Sequence, residues 1–232
     1  MEVSYTTTER TSARLGELFT QIYAWMTAGL LTTGAVAYYT AGSPAMLELI
    51  FGNPFTIWVL FIIQIVLVMS IGAAVWRLSA AVGMAMFMAY AALNGLTLAS
   101  IVLIYSSGSI AQAFFATAGT FAAMSAFGFL TKIDLTRMRS FLFMALIGLI
   151  IASVVNFFFA SSALNAIITY AGVLIFVGLT AADTQKIKQL AIEHGDSNFG
   201  RVAVLGALTL YLDFINLFLF ILRLVGGGGR RD

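Results

Sequence analysis

The chain has no cysteine, one histidine and two prolines in 232 residues, and only 9% of its residues are charged. The missing cysteine excludes disulfides, thiolate metal sites and thiol catalysis. With one histidine, a zinc centre would have to be built almost wholly from carboxylates, an unusual donor set. Soluble domains carry about 25% charged residues, so the shortage of charge excludes an ordinary water-facing surface. What fills the chain is apolar: 61% hydrophobic residues, 13% aromatic with 20 Phe, and a mean hydropathy of +0.99. These runs are continuous, whereas a membrane β-barrel needs short alternating segments. The composition predicts an all-α polytopic membrane protein.

Seven apolar segments approach the roughly 20 residues needed to cross a bilayer. They fall at 18–41, 55–76, 80–104, 111–130, 140–160, 164–185 and 202–224. The domain organisation is therefore a polar N-terminal tail (1–17), a seven-helix transmembrane domain (18–225) and a short C-terminal tail (226–232). The tail 1–17 mixes Glu and Arg and lacks a nearby small-residue cleavage site, which argues against a cleaved signal peptide. Both prolines lie in "GSPAMLELIFGNP", outside every expected helix interior. No internal repeat supports an inverted-repeat transporter. Small residues at four-residue spacing mark expected helix contacts: Ala91, Gly95 and Ala99 in the third span, and Ala118, Ala122 and Ala126 in the fourth.

Net charge is +2, and the twelve basic residues are scattered over short loops, so nucleic acid is not an expected partner. Their distribution instead sets topology. Arg10, Arg14, Arg77, Lys132, Arg137, Arg139, Lys186, Lys188 and Arg201 all lie on one side, and the opposite loops between spans have none. The positive-inside rule then puts the N-terminus in the cytoplasm. The odd number of spans puts the C-terminal tail, with Arg223, Arg230 and Arg231, outside.

Most charges need no explanation beyond solvation, including Glu48 and the lone His194, which reads as part of the turn-like "EHGDSNFG". Three do not fit so easily. Asp213 lies mid-span in "TLYLDFINLFLFILRL"; a carboxylate there costs roughly 2.5–3.5 kcal/mol on insertion scales and usually faces a partner or a water-filled cavity. Asp183 lies near the inner end of the sixth span in "FVGLTAADTQKIKQL", and Arg77 closes the second span. Snorkelling accounts for Arg77 and Asp183 as single residues, and a structural hydrogen bond accounts for Asp213. Counted from the nearest inner charge, Asp213 lies about 18 Å deep and Asp183 only about 4–5 Å. The carboxylates can therefore meet only if the sixth helix begins deeper or the seventh starts outside the membrane. If they meet, they cannot both ionise easily and titrate as a unit. A nearby Arg77 would favour the ionised form of Asp183 and hold it as an ion pair, and protonation would release it, a pH-biased latch.

"AADTQKIKQL" followed by "LYLDFINLFLFILR" resembles the Bax inhibitor family, in particular its bacterial members, and the resemblance extends over all the expected spans. It implies a seven-helix bundle with the last helix central, and a pH-sensitive calcium leak across the cell inner membrane. It also implies that Asp183 and Asp213 are paired sensor carboxylates on the ion pathway, and that Arg77 locks the closed state. No enzymatic activity and no cofactor are implied; calcium is the permeant ion, alongside protons. Calcium takes about 6–8 oxygen ligands, so Asp183 and Asp213 with Asn216 as an auxiliary ligand would bind it weakly, as permeation requires.

Other classes fare less well. A presenilin-type aspartyl protease places "GxGD" at one aspartate, but "TAA" precedes Asp183, and the only "GD", Gly195–Asp196, reads as loop. A rhomboid-type protease needs "GxSxG" and a membrane histidine, and a retinal protein needs a lysine in the last span. A proton-coupled cation transporter, or a regulator of other membrane proteins that transports nothing, stays compatible with the sequence.

Overall fold

Each proline opens a helix, at the first position, where its missing N–H costs nothing. The computed structural model describes residues 2–194 and 198–226, with side chains from residue 12 onward. Among the described residues there are eight helices and no strand: α1 (Glu2–Ala41), α2 (Pro44–Phe51), α3 (Pro54–Ala74), α4 (Ala80–Ile104), α5 (Ser107–Leu130), α6 (Thr136–Phe159), α7 (Ser162–His194) and α8 (Phe199–Gly226). Expectations for the Gly195–Asp196 pair, for the Arg10 side chain, and for Arg230, Arg231 and the tail beyond Gly226 fall outside the described residues.

The protein is an all-helical polytopic membrane protein. Six helices, α3 to α8, are long and apolar enough to cross a bilayer. Their outer faces carry large apolar side chains such as Phe115, Leu130, Phe157 and Leu174, as lipid contact demands. The expected first span, 18–41, is the second half of α1 and is not among those six. Thr27, Gly29, Thr32, Thr33 and Gly34 dilute its apolar character, although Thr32 and Thr33 satisfy their hydroxyls on carbonyls one turn back. Among the six, α8 is the most buried, with 56% of its apolar window enclosed.

Helix ends depart from expectation in three places. The loop after α1 contains α2, capped by the Ser43 side chain, and Glu48 belongs to this helix. The polar stretch 2–17 is helical and continuous with α1. Finally, α7 does not stop near Lys186 but runs to His194, because no Gly or Pro intervenes before Gly195. His194 is thus a helix end, not a loop residue; its ring stacks on Trp76 at 4.3 Å, and its Nδ1 lies 3.1 Å from the Leu190 carbonyl. At 1.5 Å per residue α7 is about 50 Å long, well over the roughly 30 Å hydrocarbon core.

The chain forms two compact units, residues 1–104 with 189–211, and residues 105–188 with 212–232. In the first, α1 packs along α4. The small-residue stripe expected on α4 is used as such: Ala91 and Ala99 are fully buried, and a Cβ on Gly95 would lie 2.7 Å from the Thr33 carbonyl. In the second, the stripe expected on α5 is wrong. Ala122 and Ala126 are exposed, and the buried face carries Ala113, Thr117, Phe121, Ser125 and Gly128. Ser125 on that face meets the Thr184 hydroxyl of α7, and Thr117 satisfies its hydroxyl on the Ala113 carbonyl of its own helix, so both polar side chains are buried with partners.

Candidate functional site

Asp183 and Asp213 are both buried, with 6% and 5% of their surface exposed, and both belong to the second unit. The extension of α7 removes the depth problem. Counted along the helices from the α7–α8 connection, Asp183 is about 16 Å from His194 and Asp213 about 21 Å from Phe199. Asp213 lies within the electrostatic influence of Asp183.

The region around Asp183 is built by the connection between α5 and α6. Helix α5 comes so close to α7 that a Cβ on Gly128 would lie 2.1 Å from the Ala181 carbonyl oxygen. One turn earlier, the hydroxyls of Ser125 and Thr184 meet at 2.9 Å. Residues 131–135 then fold onto α7. Gln185 Nε2 donates to the Ile133 carbonyl and Gln185 Oε1 accepts from the Leu135 N–H, both at 2.8 Å. Lys188 Nζ donates to the Phe129 carbonyl at 2.8 Å and lies over the Phe129 ring. Leu135, Ala181 and Ala182 form the apolar cluster beneath, with Met124 and Met138 against it. Thus one amide side chain, two residues beyond Asp183, satisfies the loop backbone that α6 leaves open at its start.

Arg139 stands on the first turn of α6, and its Nε donates to Asp183 Oδ1. Arg137, two residues earlier, is exposed, because an offset of two places side chains on different helix faces. Arg139 also acts electrostatically on Asp213, and Lys186 acts on Asp183. On α8, Phe214, the residue after Asp213, packs edge-on against Phe114 and Phe121. Asp213 Oδ2 is buried and has no hydrogen-bond partner among the described residues. A buried, unmatched carboxylate oxygen is rare in folded proteins.

The other two sequence-derived residues stand apart from the Arg139–Asp183 ion pair. Arg77 lies exposed in the turn after α3, its backbone N–H bonded to the Ala74 carbonyl at 2.8 Å. Asn216 is half-buried, and its amide nitrogen donates to the Leu212 carbonyl on its own helix at 2.8 Å. Among the described residues no three His, Asp or Glu come together as a metal cluster.

Sequence reasoning passed over two features. Arg139 was counted only among the inner-side basic residues, and its one distinguishing signal is the helical offset from Arg137. A polar knot in the first unit also went unnoticed: the Tyr211 and Thr33 hydroxyls meet at 2.6 Å, and Asn94 Nδ2 donates to the Tyr211 hydroxyl at 2.9 Å. Phe87 and Tyr90 pack edge-on to the Tyr211 ring. The signal here was an Asn and a Tyr inside apolar runs, both of which need partners when buried.

The family described as "Inhibitor of apoptosis-promoting Bax1" matches residues 15–230. The chain is 51% identical over 217 residues to the inner membrane protein YbhL of Escherichia coli (strain K12), covering 92% of this chain and 93% of that protein. It is 44% identical over 208 residues to an uncharacterised protein of Borreliella burgdorferi, covering 89% and 90%. A third relative, the uncharacterised protein YrjE of Lactococcus lactis, is 38% identical over 231 residues, covering 97% of each.

Proposed function

The chain belongs to the Bax inhibitor family, among its bacterial members, and from that premise we propose that it is a pH-sensitive calcium leak of the cell inner membrane. It carries no enzymatic activity and no cofactor in this reading. The membrane assignment draws on the six apolar helices and on the name of the Escherichia coli relative. The bundle crosses seven times, counting the second half of α1, with the N-terminus in the cytoplasm and the C-terminus outside.

One observation carries the reading: of two buried carboxylates, Asp183 is bonded to the Arg139 guanidinium, and Asp213 has one oxygen, Oδ2, without a donor among the described residues. Buried charge of one sign must be balanced by a proton, a counter-ion or a metal. A site that leaves one balancing position open exchanges protons and cations there. With the ion pair formed, the carboxylates are engaged. With Asp183 protonated, the pair loses its attraction and the arginine is free to leave. Protonation also removes ligand charge, so gate and cation affinity respond to pH in opposite senses. Arg77 is the family's lock of the closed state in this reading, and Asn216 an auxiliary oxygen.

The experiment is passive calcium release from vesicles reconstituted with the purified protein. Release faster than from empty vesicles, and dependent on pH between about 5 and 8 where a coupled carboxylate pair titrates, is the expected result. Release no faster than from empty vesicles across that range refutes the leak. Release only when a proton gradient is imposed identifies a proton-coupled transporter instead.

A further inference from the structure

We infer that Arg139 is the resident counter-ion of Asp183, the positively charged group with which an entering cation must compete. The inference rests on the carboxylate pair being an ion site, and it adds a residue that neither the sequence pattern nor the family resemblance singles out.

Three features of the structure carry it. First, Arg139 is the guanidinium bonded to Asp183, its Nε donating to Oδ1. Second, its side chain is 33% exposed whereas that of Asp183 is nearly enclosed. The guanidinium therefore has open surface to move into, but the carboxylate does not. Third, the backbone that carries Arg139 is tied to α7 independently of the ion pair. Gln185 holds Ile133 and Leu135, Lys188 holds Phe129, and the Gly128–Ala181 contact sets the helix spacing. Breaking the ion pair need not release the loop.

The exchange is then a side-chain event on a fixed frame. At higher pH Asp183 is ionised and holds Arg139, which occupies the position a cation would take. When Asp183 gains a proton, or when a cation binds the carboxylates from the other side, the guanidinium swings toward water. The charged groups that act on Asp183 are Arg139 from α6, Asp213 from α8 and Lys186 from its own helix. Lys186 shares the helix with Asp183 and makes no bond to it, so Arg139 is the partner that can exchange.

The test is a double-mutant cycle on calcium release from reconstituted vesicles, recorded as a pH profile. Arg139→Gln should raise release at neutral pH by about tenfold, the worth of one charge-assisted hydrogen bond, and should flatten the profile. Arg139→Lys, which keeps the charge without the planar donor fork, should fall between Arg139→Gln and the parent. In an Asp183→Asn background, Arg139→Gln should have no further effect. Strict additivity of the two changes overturns the inference, as does coupling of Asp183 to Arg77 with none to Arg139. A purely structural arginine would lower thermal stability equally at every pH and leave the shape of the release profile intact, which also overturns it. If the parent protein releases no calcium, the leak reading fails, and the same cycle is then read on melting temperature against pH. There Asp183→Asn should relieve the loss caused by Arg139→Gln; additive losses at every pH overturn the counter-ion role by itself.

Discussion

Replacing Gly128 by alanine tests the packing that positions Asp183. The added methyl would lie 2.1 Å from the Ala181 carbonyl oxygen, 2.8 Å from its carbon and 2.9 Å from the Ala181 Cα. All three atoms are backbone, so no side chain can rotate out of the way. The helices must part by roughly 1 Å to reach ordinary contact. The same seam carries the Ser125–Thr184 bond at 2.9 Å and the Lys188–Phe129 bond at 2.8 Å, and that separation stretches both beyond useful geometry. Overpacking costs about 1–3 kcal/mol, and each weakened hydrogen bond adds about 1 kcal/mol. Gly119, on the same helix, supplies the control. A Cβ there meets nothing within 4 Å, so alanine should gain about 0.5–1 kcal/mol from its helix preference. The helix preference is common to both positions, so the packing cost of about 3–5 kcal/mol should separate the two variants by roughly 6–20 °C in thermal unfolding in detergent, taking about 2–4 °C per kcal/mol for a chain of this size. If Gly128→Ala melts with Gly119→Ala, the close α5–α7 approach is not a feature of the folded protein.

Asp183→Asn and Asp213→Asn should each flatten the pH profile of calcium release, and the double variant should do little more than either one, since residues in one network share an interaction energy; additive effects would show two independent carboxylates. Tyr211→Phe leaves the buried Asn94 amide and Thr33 hydroxyl short of a partner, so it should destabilise by about 1–3 kcal/mol. An unchanged melting temperature would mean that the knot contributes nothing. Asp134, in the α5–α6 loop, has its carboxyl held below the ordinary value, first by the Thr136 hydroxyl, then by the Thr136 N–H, with Arg137 contributing. A lowered folded value means stability present above the unfolded value, near 3.9, and lost as pH falls through the folded one. Asp134→Asn should therefore lose less melting temperature on acidification below about pH 4; parallel losses in both proteins would count against it.

Sequence alone determined the membrane class, because continuous apolar runs and scarce charge admit no other solvent. It also determined that Asp213 and Asp183 need explaining, because a carboxylate in an apolar helix is costly wherever the chain goes. It placed Ala91, Gly95 and Ala99 in a helix contact, since close approach leaves a mark in residue size. It did not determine where α7 ends, as a polar amphipathic extension looks like a loop when hydropathy is the only guide. Nor did it determine which face of α5 turns inward. The alanines made one stripe and Thr117 with Ser125 another, and the partner of Ser125, the Thr184 hydroxyl, stands on a helix nearly sixty residues away. The partner of Asp183 lay furthest from view. Arg137 and Arg139 are the same residue type two positions apart, each at home on the inner side of a membrane. Only the docking of residues 131–135 on Gln185 sets the rotation of α6 and turns Arg139, rather than Arg137, toward the carboxylate. Pairings of that kind depend on how distant segments meet, and nothing local in the chain encodes them.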